Sequence, residues 1–287
     1  MKRRLADASL ELSYEGYTKV WGDEFDGDSL NRDDWNVETH EKGWVNSELQ
    51  EYVDSEENIQ VKDGKLVINP VKKVSSIESN DAALTKEAVS YTSGRISTQN
   101  KQTFIYGRFE CRAKVPKGQG YLPAFWLMAN DENVYGQWPR CGEIDCMEVM
   151  GQETNKAYGT IHYGNPHAQS QGTYYTGENE SDFSDDFHVF TCDWEPGKIT
   201  WYVDGVKYHE ESDWYSTTVG QGTLTYPAPF DQPFYIILNL AVGGSWVGNP
   251  NDETSFENNP YEIDYVRVYQ KDSYNEDVKR PIKEITL

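Results

Sequence analysis

Short apolar segments separated by turn-forming residues run along most of this 287-residue chain, and few stretches show helical periodicity. Residues 65–68 follow an Asp-Gly pair, which is a strong hairpin signal. Residues 187–194 and 198–203 flank a Glu-Pro-Gly turn, and residues 233–242 have the composition of a strand buried on both faces. More than a dozen such segments without alternating helices predict an all-β fold, a sandwich of jelly-roll type with two stacked antiparallel sheets.

The chain is expected to form one main domain, because no internal repeat is visible. We place this domain at residues 17–270, after an irregular or extended lead-in at residues 1–16. Residues 271–287 are polar and charged, and they are interpreted as an edge extension or the start of a linker. Within the domain, residues 75–88 are predicted to form a surface loop or a short helix.

The composition narrows the class of partner. A net charge of −22 argues against nucleic acids and anionic membranes, which need a basic patch, and against heavily sulfated polysaccharides. The alternative is that this charge simply aids solubility. The chain also contains 20 tyrosines and 9 tryptophans, whose rings suit stacking against the flat faces of sugars. A neutral glycan is therefore the expected polymer partner.

The compartment is left open by the sequence itself. No stretch approaches the roughly 18 to 20 apolar residues of a membrane span. Residues 1–4 resemble the charged start of a signal peptide, but no apolar core follows them. Four cysteines lack the spacing of a metal site, and free, buried thiols are the expected state. These cysteines are Cys111, Cys141, Cys146 and Cys192.

Three acidic residues stand close together on one predicted strand, between two glycines. On a regular strand Glu143 and Asp145 share one face, whereas Glu148 points to the other. One extra residue around Cys146-Met147, a β-bulge, would bring all three carboxylates to the same side. Like charges on one face repel each other, so the arrangement requires a reason.

Glycoside hydrolysis supplies such a reason. A retaining glycosidase needs two carboxyl groups roughly 5 to 5.5 Å apart, and an inverting enzyme needs a wider gap for a water molecule. Four strand steps span about 13 Å between Cα atoms, a gap that two glutamate side chains can largely close. The spacing thus favours retention, with Asp145 supporting the nucleophile and helping to keep the acid/base protonated. The alternative is a solvated strand face in a very acidic protein.

Ordered blocks along residues 17–270 resemble glycoside hydrolase family 16, in its bacterial laminarinase-like branch. The blocks are WGDEFDG at 21–27, NSELQEY at 46–52, YTSGRIST at 91–98, YGRFECRAKVPKGQG at 106–120, PAFWLM at 123–128, WPRCGEIDCMEVMG at 138–151, TIHYG at 160–164, DFHVFTCDWEPGKITWYVDG at 186–205, QPFYIILNLAVGGSW at 232–246 and IDYVRVYQ at 263–270. Their number and order make a chance resemblance implausible.

This resemblance implies a curved jelly roll with the substrate cleft on its concave face, and cleavage of β-linked glucans or galactans with retention. It implies that Glu143 is the nucleophile, Glu148 the acid/base and Asp145 the partner of the nucleophile. The E-x-D-x-x-E form is that of the laminarinase-like branch, so internal β-1,3 bonds of laminarin-type or mixed-linkage β-glucan are the expected target. The enzyme is expected to be secreted and monomeric and to need no cofactor for catalysis.

Aromatic residues that match the cleft of the family are Trp126, Trp138 and, less closely, Trp246. Each could instead be plain sandwich core. His162 matches a histidine beside the reacting sugar, although a lone histidine is usually structural.

Asn46 and Arg95 match polar groups that bind glucose hydroxyls on the non-reducing side, and a buried salt bridge is the alternative for Arg95. The chain departs from the family at Ser47, where asparagine is common, and at Leu122, where many members have tryptophan. Cys146 replaces the usual aliphatic residue at the bulge. Loss of the ring at position 122 could weaken one subsite or alter linkage preference.

The resemblance also implies a structural Ca²⁺ on the convex side, far from the cleft. The matching positions are Glu24, Gly64 and Asp264. Backbone carbonyls together with a carboxylate suit this hard cation. Without the resemblance, Glu24 and Asp264 are only two of the 48 acidic residues in the chain.

Five functions remain in view. An endo-β-1,3-glucanase is the leading hypothesis, and a mixed-linkage β-1,3-1,4-glucanase or a galactanase is the nearest alternative. A non-catalytic β-glucan-binding module is disfavoured, because both glutamates and the aspartate are present. A transglycosylase uses the same covalent intermediate, so the sequence does not separate it from a hydrolase.

Overall fold

The computed structural model describes residues 13–77, 86–177, 181–218, 220 and 222–282. These ranges contain strands and no helix, so no membrane-spanning helix occurs in them. The strands are β1 (Tyr17–Asp23), β2 (Asn36–Val37), β3 (Gln50–Tyr52), β4 (Ile59–Lys62), β5 (Lys65–Ile68), β6 (Val71–Ile77), β7 (Lys86–Ser93), β8 (Arg95–Ser97), β9 (Gly107–Lys114), β10 (Tyr121–Ala129), β11 (Glu143–Glu148), β12 (Lys156–Tyr163), β13 (Ala168–Tyr175), β14 (His188–Glu195), β15 (Lys198–Val203), β16 (Val206–Glu211), β17 (Thr217–Thr218), β18 (Gly222–Thr223), β19 (Phe234–Val242) and β20 (Tyr261–Lys271).

Two antiparallel sheets form the sandwich, which confirms the predicted fold class. The back sheet has eight strands in the order β16-β15-β14-β9-β20-β5-β4, with β1 also paired to β20. The cleft sheet has seven strands in the order β13-β12-β11-β10-β19-β8-β2. A three-stranded sheet, β3-β7-β6, and the hairpin β17-β18 complete the described strands. Many neighbours in the main sheets are distant in sequence, as the jelly-roll prediction requires.

The core lies between the two sheets. Strand β19 is buried at every position, as predicted from its unbroken apolar composition. From the back sheet, the fully buried Trp201 donates an indole hydrogen bond to the backbone oxygen of Asp145 at 2.8 Å. A Cβ built on Gly159 would lie 2.4 Å from Trp201 Cδ1, so glycine is needed at this close approach. The packing of the core thus fixes the backbone of the acidic strand.

Two boundaries differ from expectation. The prediction of a loop or short helix at residues 75–88 is wrong at both ends, because β6 continues to Ile77 and β7 starts at Lys86; residues 78–85 lie outside the described ranges. The two strands pair through backbone hydrogen bonds although this stretch lacks a clear apolar alternation. Strand β20 ends at Lys271, and residues 272–282 have no regular secondary structure. The four cysteines are unpaired and buried, as predicted. The division into lead-in, domain and tail stays a prediction.

Candidate active site

A β-bulge interrupts β11 at the predicted position. Phe125 of β10 pairs with Met147, whereas its neighbour Trp126 pairs with Asp145. Cys146 therefore has no partner, and the register of β11 against β12 shifts over the same interval. A bulge of this kind reverses the phase of the side chains that follow it. It places Glu148 on the same side of the sheet as the two earlier carboxylates.

A cleft of about 840 Å³ lies on this side of the cleft sheet. All nine residues that were predicted to act in catalysis or substrate binding line it. They are Glu143, Asp145, Glu148, Asn46, Arg95, Trp126, Trp138, His162 and Trp246. The structure thus brings together segments that lie as far apart in sequence as residues 46 and 246.

Glu143 is held by contacts on both carboxylate oxygens. Trp138 Nε1 donates a hydrogen bond to Oε2 at 2.6 Å, and His162 Nε2 lies 4.0 Å from Oε1. Burial raises the pKa of Glu143 well above its ordinary value, and the charge of Asp145 adds to this effect. His162 and Trp138 act in the opposite direction, because they stabilise the ionised carboxylate.

Asp145 is almost completely enclosed, with 2% of its surface exposed. Burial raises its pKa to about 7, and a hydrogen bond shared with Glu143 lowers it. Its Oδ2 atom has no hydrogen-bond partner among the described residues but lies 3.3 Å from His162 Nε2. On the far side, His162 Nδ1 lies 3.0 Å from His167 Nε2, so that one of these two nitrogens donates to the other.

Glu148 differs from Glu143 in its surroundings. Burial raises its pKa well above the ordinary value, and the negative charges of Asp145 and Glu143 raise it further. No described residue donates a hydrogen bond to its carboxyl group, whereas Glu143 accepts one from Trp138. Glu143 therefore has two neighbours, His162 and Trp138, that favour its ionised form, whereas burial and both neighbouring charges favour the protonated form of Glu148. One carboxylic acid and one carboxylate on the same wall can act as a proton donor and a nucleophile.

Arg95 occupies the cleft wall beside β11. Its Nε donates to Glu38 Oε2 at 2.5 Å, so the salt bridge considered as the alternative role of Arg95 is present. The guanidinium also lies over the rings of Trp44 and Trp126, at 5.1 and 4.9 Å from their centroids. The salt bridge and the position in the cleft coexist, because the pair orients a charged group that lines the cavity.

The tryptophans differ in how far they reach into the cleft. Trp138 and Trp246 are 44% and 45% exposed, so neither is plain core. Trp126 is partly buried, and its Nε1 donates to Asn239 Oδ1 at 2.7 Å.

Asn46 has a left-handed backbone, with φ of 50°, and its backbone oxygen accepts a hydrogen bond from the loop that carries Trp246. This contact connects the two loops at that end of the cleft.

Several cleft residues were not found from the sequence. Trp44 is 46% exposed and its ring stacks on His40, with centroids 3.5 Å apart. His167 follows His162 by five residues across the β12–β13 turn, and this local spacing was a usable signal. Glu38 and Asn239 carried no such signal, because strand pairing alone brings them to their partners.

The residues proposed for Ca²⁺ lie on the back sheet, away from the cleft. Strands β1 and β5 pair with the same edge of β20 and leave a gap at Asp264, with Glu24 at the end of β1 and Gly64 just before β5. This arrangement brings the three backbones together. Both carboxylates, however, are paired with arginines, Glu24 with Arg267 and Asp264 with Arg112. The backbone oxygens of these residues are therefore better suited to bind a cation than the two carboxylates, which already pair with arginines.

Comparison with known proteins gives a consistent result. Residues 46–267 match the family model for glycosyl hydrolases family 16. A glucan endo-1,3-beta-glucosidase A1 of Niallia circulans is 39% identical over 268 residues, which is 89% of this chain and 38% of that protein. A glucan endo-1,3-beta-glucosidase of Cryptopygus antarcticus is 40% identical, over 91% of this chain and 95% of that protein.

Among solved structures, the endo-beta-1,3-glucanase from Pyrococcus furiosus superposes with a TM-score of 0.73 and 38% identity, and the match covers 90% of this chain and 96% of that one. This chain spans little more than a third of the Niallia protein but nearly all of the other two. The family model covers most of the chain, and its matched range contains the acidic strand and every predicted cleft residue. The chain belongs to glycosyl hydrolases family 16.

Proposed function

We propose that this protein is an endo-β-1,3-glucanase that hydrolyses internal bonds of laminarin-type β-glucan with retention of configuration. The observation that carries this proposal is the bulge at Cys146, because it brings Glu143 and Glu148 to one wall of the cleft. Two of the related proteins, named as a glucan endo-1,3-beta-glucosidase and an endo-beta-1,3-glucanase, match this chain over nearly their whole length, which supports cleavage of β-1,3 bonds.

In the proposed reaction, Glu143 attacks the anomeric carbon while Glu148 gives its proton to the leaving glycosidic oxygen. The bond to the leaving sugar breaks and a covalent glycosyl-enzyme forms. Glu148, now a carboxylate, then takes a proton from water, and the resulting attack releases Glu143. Trp138 supports the ionised nucleophile by donating to its carboxylate, and Asp145 shares a hydrogen bond with the same carboxyl group.

The substrate is proposed to be a neutral β-glucan. Exposed rings of Trp44, Trp138 and Trp246 offer faces for sugar stacking, and Arg95 and Asn46 offer polar groups. The acidic cleft and the overall charge of −22 disfavour sulfated chains. Because a glucan polymer does not cross a membrane, the enzyme is expected to act outside the cell.

A structural Ca²⁺ is proposed at the gap on the edge of β20. Backbone oxygens of Glu24, Gly64 and Asp264 would hold it, since oxygen ligands suit this ion and both nearby carboxylates already pair with arginines. The ion would join the ends of β1 and β5 to β20. It takes no part in the proposed reaction.

The test is digestion of laminarin, curdlan, lichenan and agar, with sizing of the products over time. The proposal expects short β-1,3-linked oligosaccharides from laminarin, and slower or no release from agar. Glu143→Gln should abolish turnover while glucan binding persists. Faster cleavage of lichenan or agar would overturn the assigned linkage, and equal loss of binding and turnover in the variant would overturn the assigned role of Glu143.

A further inference from the structure

We propose that Glu143, Asp145 and His162 form a binding site for a divalent transition-metal ion, with Zn²⁺ as the best-matched ion. One oxygen from each carboxylate and Nε2 of the histidine are the ligand atoms. A bound ion would occupy the carboxylate that acts as the proposed nucleophile, so the site would be inhibitory. Metal binding itself does not depend on the proposed glucanase activity.

The distances fit a small ion. The three ligand atoms lie within 4.8 Å of one another, with 3.3 Å from His162 Nε2 to Asp145 Oδ2 and 4.0 Å from the same nitrogen to Glu143 Oε1. Tetrahedral zinc, with bonds of about 2.0 to 2.1 Å, needs ligand atoms about 3.3 Å apart. One of the three separations already has this value, and side-chain rotations would adjust the other two, neither of which exceeds 4.8 Å.

Each ligand directs one coordinating atom into the cluster. Asp145 is 2% exposed, and its Oδ2 lies in the cluster without a hydrogen-bond partner among the described residues. Trp138 occupies Oε2 of Glu143, and Oε1 lies 4.0 Å from His162 Nε2. Apart from His162 Nε2 at 3.3 Å, no described donor reaches Asp145 Oδ2, and a buried carboxylate oxygen is costly unless a donor, a cation or a proton satisfies it.

His167 supplies the outer contact that histidine ligands usually have. It lies 3.0 Å from His162 Nδ1 through its own Nε2. When His162 donates its Nδ1–H to His167, the lone pair on Nε2 points toward the two carboxylates. A ligating histidine commonly donates its second N–H in this way, which fixes its tautomer and ring orientation.

Other histidine–carboxylate pairs in the described ranges lack this combination. His40 lies 3.0 Å from Glu38, but Arg95 already pairs with the same Glu38 oxygen. His188 contacts the single carboxylate of Asp204. An imidazole ligand also favours zinc, copper or nickel over the hard ions Ca²⁺ and Mg²⁺.

The test uses zinc chloride in calorimetric titrations, and cobalt chloride to obtain a visible absorption band from a nitrogen-containing tetrahedral site. Both are carried out in excess Ca²⁺, which fills oxygen-only sites. Wild-type protein is expected to bind one Zn²⁺ and to give the cobalt band. His162→Gln should abolish the band, and His167→Ala should weaken zinc binding by about 10- to 100-fold, as for loss of an outer-shell partner.

The matched control is His40→Gln, the same substitution in the same cleft, which should leave the cobalt band unchanged. Thermal unfolding of each variant verifies that it is folded. Absence of binding in the wild type, or equal binding in the wild type and His162→Gln, would overturn the site. If zinc binds but laminarin hydrolysis continues at its full rate, the site stands and the proposed role of Glu143 fails.

Discussion

Replacing Trp138 with phenylalanine tests how the cleft controls the ionisation of Glu143. The indole Nε1 donates to Glu143 Oε2 at 2.6 Å, and phenylalanine retains a ring but removes this donor. A hydrogen bond to the ionised form lowers the pKa of a carboxyl group, so its loss should raise the pKa of Glu143 further. The proposed nucleophile must be ionised, and the acidic limb of the activity profile should therefore move to higher pH.

The size of this shift follows from the kind of hydrogen bond. Hydrogen bonds to charged groups contribute about 1.5 to 3 kcal/mol. Because Trp138 is 44% exposed, solvent weakens the interaction and the lower value applies. One pKa unit corresponds to about 1.4 kcal/mol, so the acidic limb should shift by about one unit and activity below it should fall about tenfold.

The assay is kcat/KM on a soluble laminarin oligosaccharide across the full pH range. The matched control is Trp246→Phe, since Trp246 is 45% exposed in the same cleft and its ring contacts Tyr158 instead of a carboxylate. The control should change KM without moving the acidic limb. An unmoved limb in Trp138→Phe, or the same shift in both variants, would refute the reasoning.

Three further predictions concern stability. Because the pKa of Glu148 is raised in the folded protein, the free energy of unfolding should fall as pH rises through that pKa. Glu148→Gln removes this titration, so the variant should have a higher Tm than the wild type at about pH 8 but not near pH 4. Each kcal/mol of difference should correspond to about 2 to 4 °C in Tm. Calorimetry of both proteins at both pH values checks this. Gly159→Ala should lower the free energy of unfolding by about 1 to 3 kcal/mol, because the added Cβ would lie 2.4 Å from Trp201 Cδ1. Gly27→Ala is the control, since its Cβ would make only ordinary contacts and the free energy of unfolding should hardly change. Denaturant unfolding measures both. Chelation of Ca²⁺ should lower Tm, and restoring Ca²⁺ at about 100 times its Kd should recover about 2.7 kcal/mol; an unchanged Tm would contradict the proposed ion.

The sequence was most informative where a chemical requirement constrained the geometry. Strict alternation would have placed Glu148 on the wrong face, and the need to bring it beside Glu143 predicted the bulge that is found at Cys146. The buried β19 was equally predictable, because an unbroken apolar run leaves no polar face.

Local patterns could not predict contacts made by strand order. Arg95 meets Glu38 because β8 and β2 pair at one edge of the cleft sheet, and Trp126 meets Asn239 because β10 pairs with β19. Periodicity describes which face a residue occupies but not which strand lies beside it. The same limit explains the misjudged ends of residues 75–88, where backbone pairing holds strands that have little apolar alternation.

The central claim is that Glu143 and Glu148 share one wall of the cleft closely enough for a covalent double displacement. Proton NMR of laminarin digestion, recorded before mutarotation, reads the anomeric configuration of the first product. The β-anomer is predicted to appear first and the α-anomer only later, as mutarotation proceeds. Initial release of the α-anomer would mean inversion through a water molecule and would contradict the account.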